Sequence, residues 1–329
     1  MRAYEIAYVP KAFPQMNTGV ICYFNSQMQM LVGCPVFTRA VLENGATMRQ
    51  TRTGAALLKF VQSYAGASRR QDFANAACPS ATGTSEILAA LIADLAERRP
   101  DVRFGAGQES ASESLMFLLD MLEPPRRGVV AASAAGVPTS IDSPITRLFL
   151  HRERCEVRCR ECGSVVSSNT DYAVSFNMFH LDQMRAPPAT PERFSAALRA
   201  RADPITGYNC SKCRTKTDAT RVYTLTMVPE IVICQFNLYD GYGGNHSARY
   251  FPESFGIPAM GGGAHEFRVV AQVEHSGSLH GGHYKARGLR RNSAGPAVYE
   301  LNDSHVSPSS FRPSAGTYYV VYNYMGQTD

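Results

Sequence analysis

The apolar residues of the chain follow two different periods, helical in the first half and strand-like in the second. In the first half they recur every three or four residues within three segments, residues 53–64, 84–98 and about 110–122. This spacing predicts three amphipathic helices. Ser110 and Glu113 have the spacing of a capping box, which places the start of the third helix at Ser110.

The second half predicts a sheet. A stretch rich in Pro, Gly, Ala and Ser, residues 124–144, is typical of a connector, and the pattern changes after it. Segments rich in Val, Tyr, Phe and Thr then predict antiparallel strands. The clearest are residues 222–227, 231–236, 267–273, 297–301 and 318–322. A helical half beside a sheet half predicts an α+β fold.

Composition and charge exclude several classes of protein. The 329 residues are 44% apolar with a formal net charge of +5, which is ordinary for a globular chain. The basic doublets are scattered and are not interleaved with aromatic residues, so they do not predict a nucleic-acid surface. No apolar run approaches the roughly 20 residues of a membrane span, and no secretory signal is visible. We expect a soluble, intracellular, monomeric protein in the cytoplasm, the nucleus or both.

The cysteines predict a metal site. Their number, nine, is odd, and four of them form two Cys-x-x-Cys pairs, Cys159 with Cys162 and Cys210 with Cys213, separated by 47 residues. This usage suits metal ligands in a reducing compartment better than disulfides. Two such pairs can complete a tetrahedral zinc site, and four thiolates leave no open position, so the site is structural. Cys155 is a rival ligand, but its spacing of four residues is less suitable.

One cysteine is a candidate nucleophile. Cys22 lies in the stretch Asn-Thr-Gly-Val-Ile-Cys-Tyr-Phe-Asn-Ser-Gln of residues 17–27, just before a helical pattern with one apolar face. The positive end of a helix dipole stabilises a thiolate, which is the nucleophilic form. A cysteine beside a helix can also be a small core residue, so this stretch alone leaves both interpretations open.

Two downstream stretches supply partners for a nucleophile. A catalytic cysteine needs a base and a group that orients that base. His283 follows a glycine-rich stretch that is typical of a turn, and residues 284–287 are typical of a strand. His275 and His280 are rival bases, which we expect on the surface or in loops. Asn302 and Asp303 follow another strand pattern.

Together these stretches resemble the ubiquitin-specific protease family of deubiquitinases, over about residues 15–325. The family's histidine box ends Gly-His-Tyr, matched by residues 282–284, and Asn302 stands at its third catalytic position. The family's cysteine box, Asn-x-Gly-x-x-Cys-Tyr-x-Asn-Ser-x-x-Gln, is matched by Asn17, Gly19, Cys22, Tyr23, Asn25, Ser26 and Gln29.

The resemblance implies a papain-like cysteine protease fold with a helical thumb, a β-sheet palm and zinc-knuckle fingers. It implies a lead-in over residues 1–16 and a single catalytic domain over residues 17–329. The thumb would span about residues 17–130. The fingers and part of the palm would span about 145–235, and the rest of the palm about 236–329.

It also implies a role for each candidate catalytic residue. Cys22 would attack and form a thioester, and His283 would take its proton. Asn302 would accept a hydrogen bond from Nδ1–H of His283 and leave Nε2 facing the thiol. Asn17 would donate its amide N–H to the oxyanion, and Asp303 would support the oxyanion site. Because adjacent strand residues face opposite ways, Asp303 would point elsewhere or act through water.

The segment 108–120 resembles the family's Gln-Gln-Asp-x-x-Glu-Phe-Leu helix, whose acidic residues grip the basic tail of ubiquitin. Ser110 stands where the family has the Asp. An equal alternative for Glu113 is a purely capping role. The residues that we assign to substrate binding are Gln108, Glu113, Gly281, Gly282 and Tyr284.

The function implied is that of a deubiquitinating thiol isopeptidase, which cleaves after the C-terminal glycine of ubiquitin. A protease for a ubiquitin-like modifier is the first alternative. A catalytically weak ubiquitin-binding scaffold is the second, and the presence of Cys22, His283 and Asn302 argues against it. The cofactor implied is one structural Zn²⁺, and the partners are ubiquitin or ubiquitin-conjugated proteins.

Overall fold

The computed structural model describes most of the chain. Gln108, His280 and all of the connector between residues 125 and 141 lie outside the described part, so the predictions made for them stay predictions. The described residues are 11–69, 83–105, 107, 109–124, 142–177, 190–240, 243–244, 248–259, 261–278, 281–292 and 294–328.

Helices dominate the first half of the chain, and the three predicted ones are confirmed as α4, α5 and α6. Leu88, Leu91 and Leu95 of α5 are buried, as their helical spacing predicts. The helices within the described ranges are α1 Cys22–Val32, α2 Pro35–Glu43, α3 Gly45–Met48, α4 Arg52–Arg69, α5 Gly83–Arg98, α6 Ala111–Met121, α7 Pro144–Arg147 and α8 Pro191–Arg199.

Strands dominate the second half, and all five of the predicted segments fall on them, with only Phe236 at the end of one segment lying outside its strand. The strands described are β1 His151–Cys159, β2 Val165–Ala173, β3 Phe176–Asn177, β4 Ala200–Cys210, β5 Thr215–Met227, β6 Ile231–Gln235, β7 Tyr239–Asp240, β8 Gly243–Gly244, β9 Ser254–Pro258, β10 Ala264–Ser278, β11 Gly281–Asn292, β12 Gly295–Asn302, β13 His305–Pro308 and β14 Thr317–Gln327. The predicted α+β class is confirmed.

Helices pack against the larger sheet. Its strand order is β13-β12-β11-β10-β14-β6-β3, with β9 paired to β10. The pairs are antiparallel except β3 with β6. A core of buried residues, which includes Phe24 and Leu31 of α1 with Val273 and Ala286 of the sheet, lies on one side. A second core joins α8 to the sheet through Phe194.

Helix α1 lies in the middle of the protein rather than at its edge. The one-sided apolar stripe predicted for it is wrong, because all eleven of its residues are buried. Helices enclosed on every side also bury their polar residues, which then need partners. Arg290 of β11 is fully buried and its Nη2 donates to the carbonyl oxygen and Oε1 of Gln29, at 2.8 and 2.7 Å. Burial lowers the pKa of Arg290 to about 10.

The smaller sheet is separate from the larger one in its strand pairing, and its strand order is β2-β1-β5-β4. Each of its two hairpins, β1–β2 and β4–β5, turns at one Cys-x-x-Cys pair. The sheet therefore brings together two cysteine pairs that are distant in sequence. Among the helices of the described ranges, none is both long and apolar enough to cross a membrane.

Candidate active site

Cys22 is the first residue of α1, and a folded loop leads into it. The side-chain Oδ1 of Asn17 accepts hydrogen bonds from the backbone N–H groups of Gly19 (3.1 Å) and Ile21 (3.3 Å). Asparagine commonly closes such a turn with its own side chain. The carbonyl oxygen of Ile21 accepts from the N–H of Asn25, which starts the helix. The turn therefore fixes the approach to Cys22, whose side chain is 4% exposed.

The thiol of Cys22 is a weaker acid than an ordinary cysteine thiol. Burial raises its pKa, a hydrogen bond from the backbone N–H of Tyr284 lowers it, and the charge of Asp303 raises it again. The backbone groups of Cys22 and Tyr23 at the start of α1 also lower the pKa, as the prediction from the helix N-terminus expects, but burial outweighs them and the net shift is upward. Desolvation prevails because α1 is enclosed on every side. Attack by this thiol therefore needs a base that takes its proton.

His283 lies in β11, one residue before the backbone N–H that touches the sulfur of Cys22. Its Nε2 is 2.6 Å from Oδ1 of Asn302. The predicted pair is present, but the prediction that Nδ1 makes the bond is wrong. Leu301 pairs with Ala286, so Asn302 lies diagonally from His283 across the strands. A diagonal partner is farther away than a directly opposite one, so it is reached by Nε2, the ring nitrogen more distant from the backbone. Nδ1 is then the nitrogen left for the thiol.

Asp303 lies in the two-residue turn between β12 and β13, with a positive φ of 50°. The prediction that it follows the alternation of a strand is therefore wrong. Its carboxylate reaches the loop before Cys22 directly and not through water. Oδ2 accepts from Nδ2 of Asn17 at 3.0 Å, and Oδ1 accepts from Nδ2 of Asn25 at 2.7 Å. Its carbonyl oxygen accepts from the N–H of Gln15 at 2.9 Å.

These bonds determine which way the amide of Asn17 faces. Its oxygen is used by two backbone N–H groups, and one N–H of Nδ2 is used by Asp303. The other N–H of Nδ2 is left for a ligand, since no acceptor for it is found in the part of the chain that the structure describes. Asn25 was given no role from the sequence. Its position three residues after Cys22, on the same face of a helix, was the available signal.

His275 is buried in β10, and the prediction that it lies on the surface or in a loop is wrong. Its Nδ1 is 2.6 Å from the hydroxyl of Tyr239, and its ring centroid is 4.2 Å from that of Tyr284. Burial lowers the pKa of His275, and the nearby charge of His283 lowers it further. The ring is therefore neutral at pH 7, and it does not take part in the pair with Asn302.

The glycine-rich stretch before His283 belongs to paired strands rather than to the predicted turn. Gly277 pairs with Gly282, and Gly277 has a positive φ of 139°. A Cβ at Gly277 would lie 2.5 Å from the carbonyl oxygen of Gly281. A Cβ at Gly282 would collide with the carbonyl oxygen of Ser276 and with the ring of His275. Glycine is required here because the two strands and the buried ring approach so closely.

The start of α6 contacts Tyr284, the residue that follows His283. Burial raises the pKa of Tyr284, and the backbone N–H of Ala111, which donates to its hydroxyl, lowers it by less. Ser110 precedes the helix, but its Oγ pairs with Oγ of Ser112 at 2.7 Å and caps no N–H. The predicted capping box is therefore wrong. Glu113 has an exposed side chain on the first turn.

Four cysteines at the turns of the smaller sheet form the predicted cluster. The sulfurs of Cys159 and Cys213 are 3.8 Å apart, those of Cys162 and Cys210 are 3.9 Å apart, and all four lie within 4.8 Å of one another. A tetrahedral ion with metal–sulfur bonds of about 2.3 Å requires sulfurs about 3.8 Å apart. The donor set therefore fits one closed metal site. Cys155 is buried in β1 and is not part of the cluster.

Asp303 and Asn302 are expected to shift the pKa of Cys22 in opposite directions, which gives a first prediction. Replacing Asp303 by Asn removes a negative charge that raises the pKa of Cys22, so the titration of the thiol should move to lower pH. Replacing Asn302 by Ala releases the ring of His283 and should move it to higher pH, because the imidazolium is held less well beside the thiolate. The rate of alkylation by iodoacetamide as a function of pH measures both shifts.

Asn44 provides a control, since its side chain bonds the carbonyl oxygen of Ala40 at the end of α2. Asn44→Ala should leave the thiol titration unchanged. A downward shift in Asn302→Ala, or an upward shift in Asp303→Asn, would show that the roles of the two neighbours are the reverse of those inferred here.

Comparisons with known proteins agree with this geometry. Residues 15–322 match the family model described as ubiquitin carboxyl-terminal hydrolase. Ubiquitin carboxyl-terminal hydrolase 36 of Drosophila pseudoobscura pseudoobscura is 25% identical, over 92% of this chain and 28% of its own length. The protein of the same name from Drosophila virilis is 27% identical, over 64% of this chain and 18% of its own. The chain thus spans less than a third of these curated relatives.

Solved structures share the fold. The Ubp8/Sgf11/Sus1/Sgf73 SAGA DUB module bound to monoubiquitin contains a chain with a TM-score of 0.68 and 15% identity, covering 96% of this chain and 70% of that one. The same module bound to ubiquitin aldehyde gives a TM-score of 0.66 and 16% identity, covering 98% and 71%. The family match takes in the cysteine, histidine and asparagine described above, and the chain belongs to the ubiquitin carboxyl-terminal hydrolase family.

Proposed function

We propose that the protein is a thiol isopeptidase that hydrolyses the bond after the C-terminal glycine of ubiquitin. The observation that carries the proposal is the arrangement of Cys22, His283 and Asn302 in a chain of this family. The names of the relatives and the ubiquitin held by the similar solved module support ubiquitin as the substrate.

The tautomer of His283 follows from its partner. Asn302 offers an oxygen to Nε2, so Nε2 carries the proton and donates it, and the lone pair of Nδ1 is the base. Nδ1 takes the proton from the sulfur of Cys22, and the thiolate attacks the carbonyl carbon of the terminal glycine.

The remaining steps return every group to its starting state. The tetrahedral intermediate collapses, the bond from carbon to the lysine amine breaks, and Nδ1–H of His283 protonates the leaving amine. The product on Cys22 is a thioester. A water molecule then gives one proton to Nδ1 while its oxygen attacks the thioester carbon. The bond from carbon to sulfur breaks, Nδ1–H returns its proton to the sulfur of Cys22, and the carboxylic acid of the released ubiquitin loses its proton to solvent.

The oxyanion of each tetrahedral intermediate would be stabilised by Asn17. Its amide is held by Asp303 on one side and by backbone N–H groups on the other, so its second N–H needs no reorganisation when charge develops. Asp303 is the residue that aims this donor, and Asn302 orients the base. In this proposal the adjacent residues Asn302 and Asp303 support proton transfer and oxyanion stabilisation, respectively.

The substrate tail would pass beside the glycine pair of β10 and β11. Gly282 tolerates no side chain, because a Cβ there would collide with Ser276 and His275, and Tyr284 is buried and joined to α6. We propose that Gly281, Gly282 and Tyr284 contact this tail, since a tail that ends in two glycines carries no side chains there and needs little room. Gln108 and Glu113 are proposed to contact the same tail further from the thiol.

We propose that the ion of the cysteine cluster is Zn²⁺, which four thiolates hold in a tetrahedral site. Its role is structural, because the four sulfurs leave no position for substrate. It would join the β1–β2 hairpin to the β4–β5 hairpin at the tip of the smaller sheet. We also propose one catalytic domain over residues 17–329, in which the smaller sheet is the fingers and the larger sheet the palm.

One observation favours keeping a ubiquitin-like modifier as a second candidate. The family's acidic residue at the start of α6 is replaced by Ser110, whose hydroxyl pairs with Ser112. A neutral group grips a cationic tail less strongly than a carboxylate does. The scaffold alternative is disfavoured by the paired His283 and Asn302. A monomeric state remains a prediction from the sequence.

Hydrolysis of an isopeptide-linked di-ubiquitin tests the proposal. We expect the wild-type protein to release mono-ubiquitin and Cys22→Ala to release none, with no dependence on added metal. Cys34→Ala is the matched control, since Cys34 is buried in the core and should not be needed. Wild-type protein that releases no ubiquitin but cleaves a ubiquitin-like fusion would move the assignment to the second candidate.

A further inference from the structure

A continuous path of hydrogen bonds joins the first turn of α5 to the amide of Asn17. Oγ1 of Thr84 donates to Oδ1 of Asn25 at 2.6 Å, and Nδ2 of Asn25 donates to Oδ1 of Asp303 at 2.7 Å. The second oxygen of Asp303 accepts from Nδ2 of Asn17 at 3.0 Å. Four side chains from four separate segments are therefore linked in series.

The hydroxyl of Thr84 is the donor that holds the oxygen side of the Asn25 amide. A side-chain amide presents an acceptor on one side and a donor on the other, and the two are similar in shape. With Oδ1 of Asn25 held by Thr84, Nδ2 faces two acceptors, the carboxylate of Asp303 at 2.7 Å and the carbonyl oxygen of Met16 at 3.3 Å. Without that donor, the buried oxygen of Asn25 loses its partner, and an amide turned by half a rotation would present oxygen to a carboxylate.

Thr84 is enclosed by protein on all sides. Thr84 is fully buried and Asn25 is 1% exposed, so water does not replace a missing partner at low cost. Gly83 packs against the ring of Phe60, where a Cβ would lie 2.7 Å from the ring. A second link, between the hydroxyls of Thr18 and Ser85 at 3.0 Å, ties the loop before Cys22 to the same turn.

We propose that Thr84 is a positioning residue for the oxyanion donor: it holds Asn25, which holds Asp303, which aims the free N–H of Asn17. This inference rests on the proposed function. It assigns a role in transition-state stabilisation to a residue that does not touch the substrate, on a helix that carries none of the other catalytic groups.

The test compares Thr84→Val, which keeps the shape and removes the donor, with Thr84→Ser, which keeps the donor. With ubiquitin–aminomethylcoumarin as substrate, Thr84→Val should lower kcat by roughly 5- to 50-fold with little change in KM, from the cost of an unmade buried hydrogen bond. Thr84→Ser should recover most of the rate. Alkylation of Cys22 by iodoacetamide should remain as fast as in the wild type.

Thr53→Val is the matched control. Thr53 is also fully buried, and its Oγ1 donates to Asp94 at 2.7 Å, but that bond joins α4 to α5 and lies outside the path. Thr53→Val should lower the melting temperature and leave kcat unchanged. If both Val variants lose stability to the same degree and kcat to the same degree, the role of Thr84 is structural and the inference is overturned.

A double-mutant cycle with Asn17→Ala separates positioning from other effects. If Thr84 acts through Asn17, Thr84→Val should lower kcat little once Asn17 is already Ala. Full additivity of the two losses, or an Asn17→Ala variant with wild-type kcat, would overturn the inference. A wild-type protein that does not hydrolyse the ubiquitin substrate would instead refute the proposed function, so the two failures are distinguishable.

Discussion

Replacing Asn17 by Ala is expected to lower kcat for ubiquitin hydrolysis by about 100- to 1000-fold while KM changes little. Loss of one oxyanion donor has an effect of this size because the donor acts only when charge develops on the substrate. The bonds of Asn17 to Asp303, Gly19 and Ile21 orient its amide before substrate arrives. Steady-state kinetics with ubiquitin–aminomethylcoumarin measures kcat and KM separately.

Two controls sharpen this prediction. Asn44→Ala removes an asparagine that only caps the end of α2 and should have wild-type kinetics. Alkylation of Cys22 should still proceed in Asn17→Ala, which shows that the nucleophile is intact. A loss confined to KM would mean that Asn17 shapes the surface on which substrate binds and does not stabilise the transition state.

Removing the metal is expected to disorder the smaller sheet. A structural zinc–thiolate site contributes on the order of 10 kcal/mol of apparent binding free energy, which is available only when the sheet is folded. In Cys210→Ser we expect loss of zinc, faster amide hydrogen exchange in β1, β2, β4 and β5, and faster proteolysis there. The larger sheet and the alkylation of Cys22 should change much less, because the cluster is built entirely within the smaller sheet.

Cys155 offers a matched control for the ligand set. It lies in β1 beside the cluster but is not one of its four sulfurs. Elemental analysis should find one zinc per chain in the wild type and in Cys155→Ala, and much less in Cys210→Ser. Native protein without zinc, or zinc that is lost from Cys155→Ala and retained in Cys210→Ser, would contradict the assignment.

Local patterns were sufficient to predict three of the longer helices and five of the strands. The apolar residues of α5 recur at helical spacing, and β10, β12 and β14 contain β-branched and aromatic runs bounded by turn residues. The spacing of apolar residues in a helix or strand depends only on which face of that element is buried, so it can be recognised from the local sequence. Helix α1 shows the limit of this reasoning. It is buried on all sides, including Asn25 and Gln29, and the burial of a polar residue depends on partners that lie elsewhere in the chain.

The sequence motifs selected the candidate residues of the site but did not specify their geometry. Order along the chain was enough to select Cys22, His283 and Asn302. The nitrogen of His283 that faces Asn302 depends on the register of β11 and β12, which no local pattern specifies. The direction of Asp303 depends on a turn with positive φ. The raised pKa of Cys22 depends on the packing around α1, which appears only in the folded protein.

Reaction with ubiquitin that carries a propargyl group in place of its C-terminal carboxylate tests the central claim most directly. Mass spectrometry of the intact protein and of its peptides should show one added ubiquitin on wild-type protein, attached to the sulfur of Cys22, and none on Cys22→Ala. Wild-type protein that does not react, an adduct on Cys22→Ala, or an adduct mapped to Cys34 would contradict the claim that Cys22 is the nucleophile of a ubiquitin hydrolase.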